Sequence, residues 1–185
     1  KEPYKSLKGK YKEPERLTDE QAAAVDEISR ALNSGNQTNF LLHGVTSSGK
    51  TQVYMEAIEK TIALGKTAIM LVPEIALTSQ SAEILFSRYG DRVAIIHSGM
   101  SKGERHDSWE AIRSGKKSIV LGTRSALFAP VNNLGLLIID EEQRFGVAHK
   151  EKIKELRKDI DVLTLSATPI PRTLHMSLTG IRDMS

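Results

Sequence analysis

The sequence of 185 residues lacks cysteine and contains few aromatic residues, with four Phe, four Tyr and one Trp. Without cysteine, a disulfide framework and a thiolate zinc site are both excluded. No apolar run approaches the roughly 18 residues that a membrane span requires, so we expect no contact with a membrane. The first ten residues are charged and lack the apolar segment of a secretory signal, which predicts a cytoplasmic protein. The chain starts without Met, and we therefore expect a piece of a longer protein.

The excess positive charge of the chain is confined to its first 16 residues. Six Lys or Arg and three Glu lie there, and they account for the whole net charge of +3. A basic arm can contact phosphates, although a solvated tail would have the same composition. The chain as a whole is 39% apolar and 26% charged, which suits a globular protein. We therefore predict an arm at 1–16 and a single domain at 17–185.

The hydrophobic pattern of the chain alternates between helix-like and strand-like segments. A helix is predicted from Thr18 to about Asn33, because Thr18 and Gln21 have the spacing of a capping box. Apolar runs then cover 40–42, 67–72, 93–96, 118–121, 136–139 and 162–165, and helical segments cover 50–64, 75–89, 102–114 and 149–158. The runs do not alternate with polar residues, which is typical of parallel strands buried on both faces. The pattern predicts an α/β fold in which helices cover both faces of a mainly parallel sheet.

A glycine-rich motif, GVTSSGKT, follows the first apolar run and precedes a helical segment, which is the context of a phosphate-binding loop. Its glycines let backbone N–H groups approach a phosphate, and the helix N-terminus adds partial positive charge. Lys50 can then reach the β- and γ-phosphates, and the Thr51 hydroxyl can bind Mg²⁺. The motif predicts a site for ATP or GTP, with a glycine turn that binds no ligand as the alternative. Its residues are Gly44, Val45, Thr46, Ser47, Ser48, Gly49, Lys50 and Thr51.

The apolar run at 136–139 is followed by Asp140 and Glu141, which form the second half of the predicted site. A carboxylate at the carboxyl end of a parallel strand is a common Mg²⁺ ligand in nucleotide-binding sheets. Asp140 is therefore the candidate Mg²⁺ ligand, and Glu141 is the candidate residue that orients or deprotonates the attacking water. The alternative is an acidic helix start, where such residues are common. The candidate catalytic residues are Lys50, Asp140 and Glu141.

From Leu17 onward, the sequence resembles the first motor domain of the superfamily 2 helicases, which is a RecA-like P-loop NTPase domain. Residues 17–142 resemble the primosomal replication-restart helicases in LTDEQAAAV, LLHGVTSSGKTQVY, LVPEIALTSQ, HSGMSKGER and GTRSALFAP. Residues 138–185 resemble the transcription-repair coupling factors, and less closely the branch-migration helicases, in IIDEEQRFGVAHKEKIKEL and LTLSATPIPRTLHMSLTGIRDMS. The two resemblances meet at IIDEE. An unusual natural helicase and an engineered chimera of two helicase families would both give this pattern.

The resemblance implies a role for each matching residue. Gln21 corresponds to a glutamine that reads the adenine of ATP, and its place in a capping box is the alternative. The DNA-contacting motifs correspond to Pro73, Thr78, Gly122, Thr123, Arg124 and Ser125. The residues that couple the nucleotide to the DNA correspond to Gln143, Ser166, Thr168 and Arg172.

The implied activity is that of a DNA helicase or translocase that uses ATP and Mg²⁺, with single-stranded or branched DNA as its partner. In this family a second motor domain supplies arginines that stabilise charge on the γ-phosphate, and such an arginine accelerates hydrolysis roughly 10³- to 10⁵-fold. The sequence contains no second series of apolar runs that would form that domain. We therefore expect these 185 residues alone to bind nucleotide, hydrolyse it very slowly and not unwind DNA. An engineered, non-catalytic chimera is the alternative.

Overall fold

The computed structural model describes residues 16–44, 49–78, 80–140, 145–166 and 175–178. The helices within these ranges are α1 (Asp19–Ser34), α2 (Lys50–Ala63), α3 (Gln80–Tyr89), α4 (Lys102–Arg113) and α5 (Val147–Leu156). The strands are β1 (Asn39–His43), β2 (Thr67–Leu71), β3 (Val93–Ile96), β4 (Ile119–Gly122), β5 (Leu134–Asp140), β6 (Asp161–Ser166) and β7 (His175–Leu178). Short 3-10 helices lie at Glu74–Thr78, Gly90–Arg92 and Arg124–Phe128.

The strands form one sheet in the order β3-β4-β2-β5-β6-β1-β7. Strands β1 to β6 are parallel, which confirms the predicted mainly parallel sheet. Strand β7 pairs antiparallel with the open edge of β1, and the sequence analysis did not predict it. Because the six parallel strands run in one direction, their carboxyl ends all lie at the same edge of the sheet.

Helices cover both faces of the sheet, as predicted. Along β2, Ala68 and Met70 join an apolar cluster to which α1, α2 and α3 contribute. The intervening Ile69 and Leu71 join a second cluster to which α4 and α5 contribute. The period of two along the strand therefore divides the core into two layers, one on each side of the sheet.

Two helix boundaries test the local sequence rules. Helix α1 begins at Asp19, and its N-cap Thr18 takes part in both hydrogen bonds of a capping box. Gly35 follows its last residue with φ of 71°, so the predicted helix is confirmed. The segment 75–89 was predicted as one helix, and this prediction was wrong. A 3-10 helix covers Glu74–Thr78 and α3 begins only at Gln80, because Ala76 N–H donates to the Pro73 carbonyl in a tighter turn.

In the part of the chain that the structure describes, no helix is both long and apolar enough to cross a bilayer.

Candidate functional site

The candidate residues lie along the carboxyl edge of the sheet, which divides into two halves. In β5-β6-β1, Asp140 is in register with Leu165, and His43 is in register with Ser166. In β3-β4-β2, Ile96 and Leu71 are both in register with Gly122. Neighbouring strands lie about 4.8 Å apart, so the ends of β5 and β1 are separated by about 10 Å. The first half therefore brings Asp140 near the start of the glycine-rich motif, and the second half collects the segments predicted to contact DNA.

Helix α2 begins at the end of the glycine-rich motif with features that suit an anion. Gly49 precedes its first residue in the left-handed conformation, with φ of 87°. As a glycine, this N-cap residue has no side chain to cap the helix, and the first turn contains no acidic residue. Helices α1 and α4, by contrast, begin with capping boxes and acidic residues. The N-terminus of α2 therefore keeps its partial positive charge for a group outside the helix, and it fits a phosphate.

Lys50 joins the glycine-rich motif to the end of β6. Its Nζ donates to the Gly44 carbonyl and, at 3.0 Å, to the Ser166 carbonyl. The Gly44 N–H also donates to the Ser166 carbonyl at 3.0 Å. The sequence analysis linked Ser166 to nucleotide coupling by resemblance. The contacts that the structure shows are made by its main-chain carbonyl, which no residue-type pattern could have indicated.

The capping box at Gln21 is present, and the same side chain also reaches the glycine-rich motif. Its Oε1 accepts from the Thr18 N–H at 2.9 Å, and its Nε2 donates to the Gly49 carbonyl at 3.1 Å. A glutamine amide has two N–H donors and two acceptor lone pairs, so one of each remains after these bonds. The capping role of Gln21 and the recognition of an adenine edge are therefore compatible rather than exclusive alternatives.

The two candidate Mg²⁺ ligands are both half-buried, one at the end of the glycine-rich motif and the other at the end of β5. Thr51 is the second residue of α2, and Asp140 ends β5. Among the described residues, no three His, Asp or Glu side chains form a cluster that could hold a metal ion. The donor set fits Mg²⁺ that binds one carboxylate and one hydroxyl and takes its other oxygens from phosphate and water.

Part of the predicted site lies outside the described residues. This part comprises Val45, Thr46, Ser47, Ser48, Glu141, Gln143, Thr168 and Arg172. Their roles stay predictions.

In the second half of the edge, the fold itself requires a glycine at the end of β4. A Cβ on Gly122 would lie 2.2 Å from the Ile96 carbonyl oxygen and 2.5 Å from the Ala126 Cβ. Thr123 is buried, and its Oγ1 lies 3.4 Å from the Ser125 Oγ. Arg124 is exposed and Ser125 is half-buried. Of the GTRS segment, Arg124 and Ser125 are therefore the side chains that can reach a ligand.

Two further residues connect the loops that follow β2 and β3, and the sequence analysis did not assign them. The Ser98 Oγ donates to the Glu74 carboxylate, and both residues are exposed. Because β4 lies between β2 and β3, this hydrogen bond crosses above the end of β4, where Gly122–Ser125 begin. Pro73 is half-buried at the start of the same loop, and Thr78 ends its 3-10 helix. The strand order, which the sequence does not display, is what brings these residues together.

A mainly parallel sheet with a glycine–lysine motif between β1 and α2, and an aspartate at the end of β5, defines a RecA-like P-loop NTPase domain. Within that class, the sequence profile of the DEAD/DEAH box helicases matches residues 18–177. The chain belongs to the DEAD/DEAH box helicase family, and it is the first motor domain of a superfamily 2 helicase.

Relatives of the chain come from both groups that the sequence resembles. Replication restart protein PriA from Bacillus subtilis is 46% identical and matches 100% of the chain, which spans 24% of that protein. A transcription-repair-coupling factor from Staphylococcus epidermidis is 43% identical and matches 93% of the chain, which spans 15% of that protein. The structure of RecG bound to a three-way DNA junction aligns with a TM-score of 0.71 and 32% identity, over 86% of this chain and 22% of that one. The resemblance to both groups is confirmed, and each similarity extends to both sides of β5.

Proposed function

We propose that this domain binds ATP and Mg²⁺ at the β5-β6-β1 half of the edge and, within a longer protein, couples ATP hydrolysis to movement on DNA. The observation that carries the proposal is the position of Lys50. Its ammonium lies between the N-terminus of α2 and the ends of β1 and β6, where the triphosphate of a P-loop ligand is bound.

Each residue of the nucleotide half has a role in this proposal. Lys50 binds the β- and γ-phosphates, and backbone N–H groups at Gly49 and the start of α2 bind phosphate oxygens. Thr51 and Asp140 hold Mg²⁺, which supplies charge neutralisation on the phosphates when bound. Glu141 orients or deprotonates the attacking water, and the remaining donor and acceptor of Gln21 recognise the adenine edge.

The β3-β4-β2 half of the edge is the proposed DNA track. Arg124 provides an exposed cation. Hydroxyl groups are the other proposed donors to phosphate, and they belong to Ser125 and Thr78. The track is completed by Pro73 and by the backbone at Gly122 and Thr123. Similarity to RecG, solved on a three-way DNA junction, supports DNA as the partner. The two halves of the edge are continuous along one sheet, because strands β2 and β5 are neighbours. The residues that would couple them are Ser166, Thr168, Gln143 and Arg172.

A polypeptide of only these 185 residues is proposed to bind nucleotide and to turn it over slowly. Hydrolysis in such motors relies on an arginine directed at the γ-phosphate, which the resemblance assigns to a second motor domain. Arg124 is the exposed arginine at the DNA half of the edge, and the proposal gives it a different role. The alternative of an engineered, non-catalytic chimera predicts intact folding with no nucleotide-dependent activity in any assembly.

The nucleotide proposal is tested by calorimetric titration of the 185-residue protein with ATP, with and without Mg²⁺. Lys50→Ala should weaken binding at least tenfold, because the charge-assisted bonds to phosphate are lost. Lys60→Ala, an exposed change on the same helix, is the matched control and should leave the affinity unchanged. Equal affinity in the wild type and Lys50→Ala would refute the phosphate site.

The DNA proposal is tested by fluorescence anisotropy of labelled single-stranded and three-way-junction DNA over a range of salt concentrations. Arg124→Ala should weaken binding and reduce the salt slope by about one unit, since one phosphate contact is removed. The control is Arg113→Ala, which removes an exposed arginine that pairs with Glu110 near the C-terminus of α4. It should change neither the affinity for DNA nor the salt slope.

ATPase assays test the requirement for a second domain. DNA-stimulated turnover of several per second by the 185 residues alone would contradict it.

A further inference from the structure

The Ser166 main-chain carbonyl accepts two hydrogen bonds from the glycine-rich motif. One comes from the Gly44 N–H and the other from the Lys50 ammonium, each at 3.0 Å. A carbonyl oxygen has two lone pairs, so these bonds fill its capacity. Ser166 is buried and ends β6, directly in register with His43 at the end of β1.

The two bonds differ in how a phosphate would affect them. The bond from Gly44 joins the backbones of neighbouring strands, and a bound phosphate does not require it to break. The bond from Lys50 uses the same ammonium that the proposed function assigns to the β- and γ-phosphates. A phosphate oxygen carries a full negative charge and is the stronger acceptor, so it draws the ammonium away from the neutral carbonyl.

We propose that the Ser166 carbonyl is a nucleotide-sensitive acceptor, which holds Lys50 in the nucleotide-free protein and releases it when phosphate is bound. The Ser166 carbonyl then accepts from both Gly44 and Lys50 without nucleotide, and keeps only the bond from Gly44 when Lys50 binds phosphate. Nucleotide occupancy thereby reaches β6 through the phosphate-binding lysine itself. The inference rests on the proposed nucleotide site and adds a specific route of communication to it.

Linkage makes this route reciprocal. If nucleotide binding releases Ser166 from Lys50, then a partner that binds this released state more tightly raises the affinity for nucleotide. Nucleotide raises the affinity for that partner by the same factor. A hydrogen bond from a charged donor corresponds to roughly a tenfold to hundredfold change in an equilibrium constant. Ser166 thus acts as a positioning residue, because it touches Lys50 rather than the nucleotide.

The test is a carbonyl-carbon NMR measurement on the uniformly labelled 185-residue protein. Loss of a hydrogen bond moves a carbonyl ¹³C resonance to lower frequency, so the Ser166 resonance reports this acceptor directly. Lys50→Met without nucleotide should shift the Ser166 resonance to lower frequency, and Lys60→Met should leave it in place. Addition of Mg²⁺ with adenosine 5′-(β,γ-imido)triphosphate to the wild type should shift it in the same direction as Lys50→Met.

Two results would overturn the inference. One is an identical Ser166 resonance in the wild type and in a Lys50→Met protein whose thermal unfolding is unchanged. The other is a wild-type Ser166 resonance that stays in place while the amide resonances of Lys50 and Thr51 move on nucleotide addition. If those amides do not move either, the proposed nucleotide site has failed. The comparison of wild type with Lys50→Met, made without nucleotide, still decides whether Lys50 holds the carbonyl.

Discussion

The side-chain amide of Gln21 donates to the main-chain carbonyl of Gly49 at 3.1 Å, across 28 residues of sequence. This bond joins the first turn of α1 to Gly49, the N-cap residue of α2. The two helices also pack in the same apolar cluster, so their N-termini form one unit. The glycine-rich motif is consequently held at Gly49 from outside, by a side chain that is itself buried at 7% exposure.

Replacement of Gln21 should affect both stability and nucleotide binding. Gln21→Ala removes its half of the capping box and the bond to Gly49, so we expect a loss of about 1–2 kcal/mol in the free energy of unfolding. Urea titration followed by the fluorescence of Trp109, the single tryptophan, measures this loss. Nucleotide affinity should fall in parallel, because the loop loses its support.

The second capping box of the protein provides a matched control. Ser101 and Glu104 form it at the start of α4, and both are exposed. Glu104→Ala should destabilise the protein less than Gln21→Ala does and leave nucleotide affinity unchanged, since it removes an exposed cap alone. If both variants lose the same stability and neither alters nucleotide binding, the bond between Gln21 and Gly49 does not contribute to nucleotide affinity.

A methyl group at Gly49 meets the same side chain. Gly49 has φ of 87°, and a Cβ there would lie 2.1 Å from the Gln21 Nε2. Gly49→Ala should therefore cost about 2–4 kcal/mol, which combines left-handed strain with displacement of Gln21. Gly65→Ala, at φ of 71° with no atom within 4 Å, isolates the strain and should cost about 1–2 kcal/mol.

The double variant Gln21→Ala/Gly49→Ala separates the clash from the strain. Once the amide is removed, the added methyl has nothing to displace, so the double variant should be more stable than the sum of the two single changes predicts. Strict additivity of the unfolding free energies would show that the two residues do not meet as the structure describes.

Gly122 should be intolerant of a side chain for reasons of folding alone. Its added methyl would meet the Ile96 carbonyl, which is main chain and cannot rotate away, so Gly122→Ala should cost about 3 kcal/mol. Gly103→Ala, in the first turn of α4 with no atom within 4 Å, should instead stabilise the protein by about 0.5–1 kcal/mol. Thermal unfolding distinguishes the two. Loss of DNA binding in Gly122→Ala counts as evidence for a contact only if the protein remains folded.

Asp161 gives the stability of the protein a predictable pH dependence. Burial raises the pKa of its carboxyl group, opposed by the hydrogen bond from the Thr38 N–H at 2.8 Å and by the charge of Lys66. A raised pKa means that the folded state holds the proton more tightly than the unfolded state. This contribution to stability is fully present below about pH 4 and is lost as the pH rises through the folded-state pKa.

Asp161→Asn tests this direction, because asparagine still accepts from Thr38 but carries no charge. The variant should be more stable than the wild type at pH 7, and the difference should shrink as the pH falls toward 4. Asp159→Asn, at an exposed position two residues earlier, serves as the control. A pH-independent difference between Asp161→Asn and the wild type in urea unfolding would contradict the assignment.

Local patterns predicted much of this fold, and non-local pairing accounts for the rest. The unbroken apolar runs indicated buried parallel strands, and the Thr18–Gln21 spacing gave the start of α1. Strand β7 was missed because its four residues, HMSL, carry no strong strand signal and pair with β1, which is distant in the sequence. The contacts of Lys50 with Ser166 follow from the adjacency of β1 and β6. That adjacency is a property of strand order, and no motif in either segment encodes it.

The pairing of β1 also determines when this domain can acquire its ligand during synthesis. Thr38 and Asp161 are bonded across 123 residues, and the partners of β1 are the late strands β6 and β7. The glycine-rich motif is translated early, whereas β6, which pairs with β1, is complete only once Ser166 has been translated. A nascent chain that ends at Phe145 should gain no protease resistance from Mg²⁺ and ATP, whereas the 185-residue chain should. Under the proposed function, nucleotide should therefore stabilise the finished domain without guiding its folding.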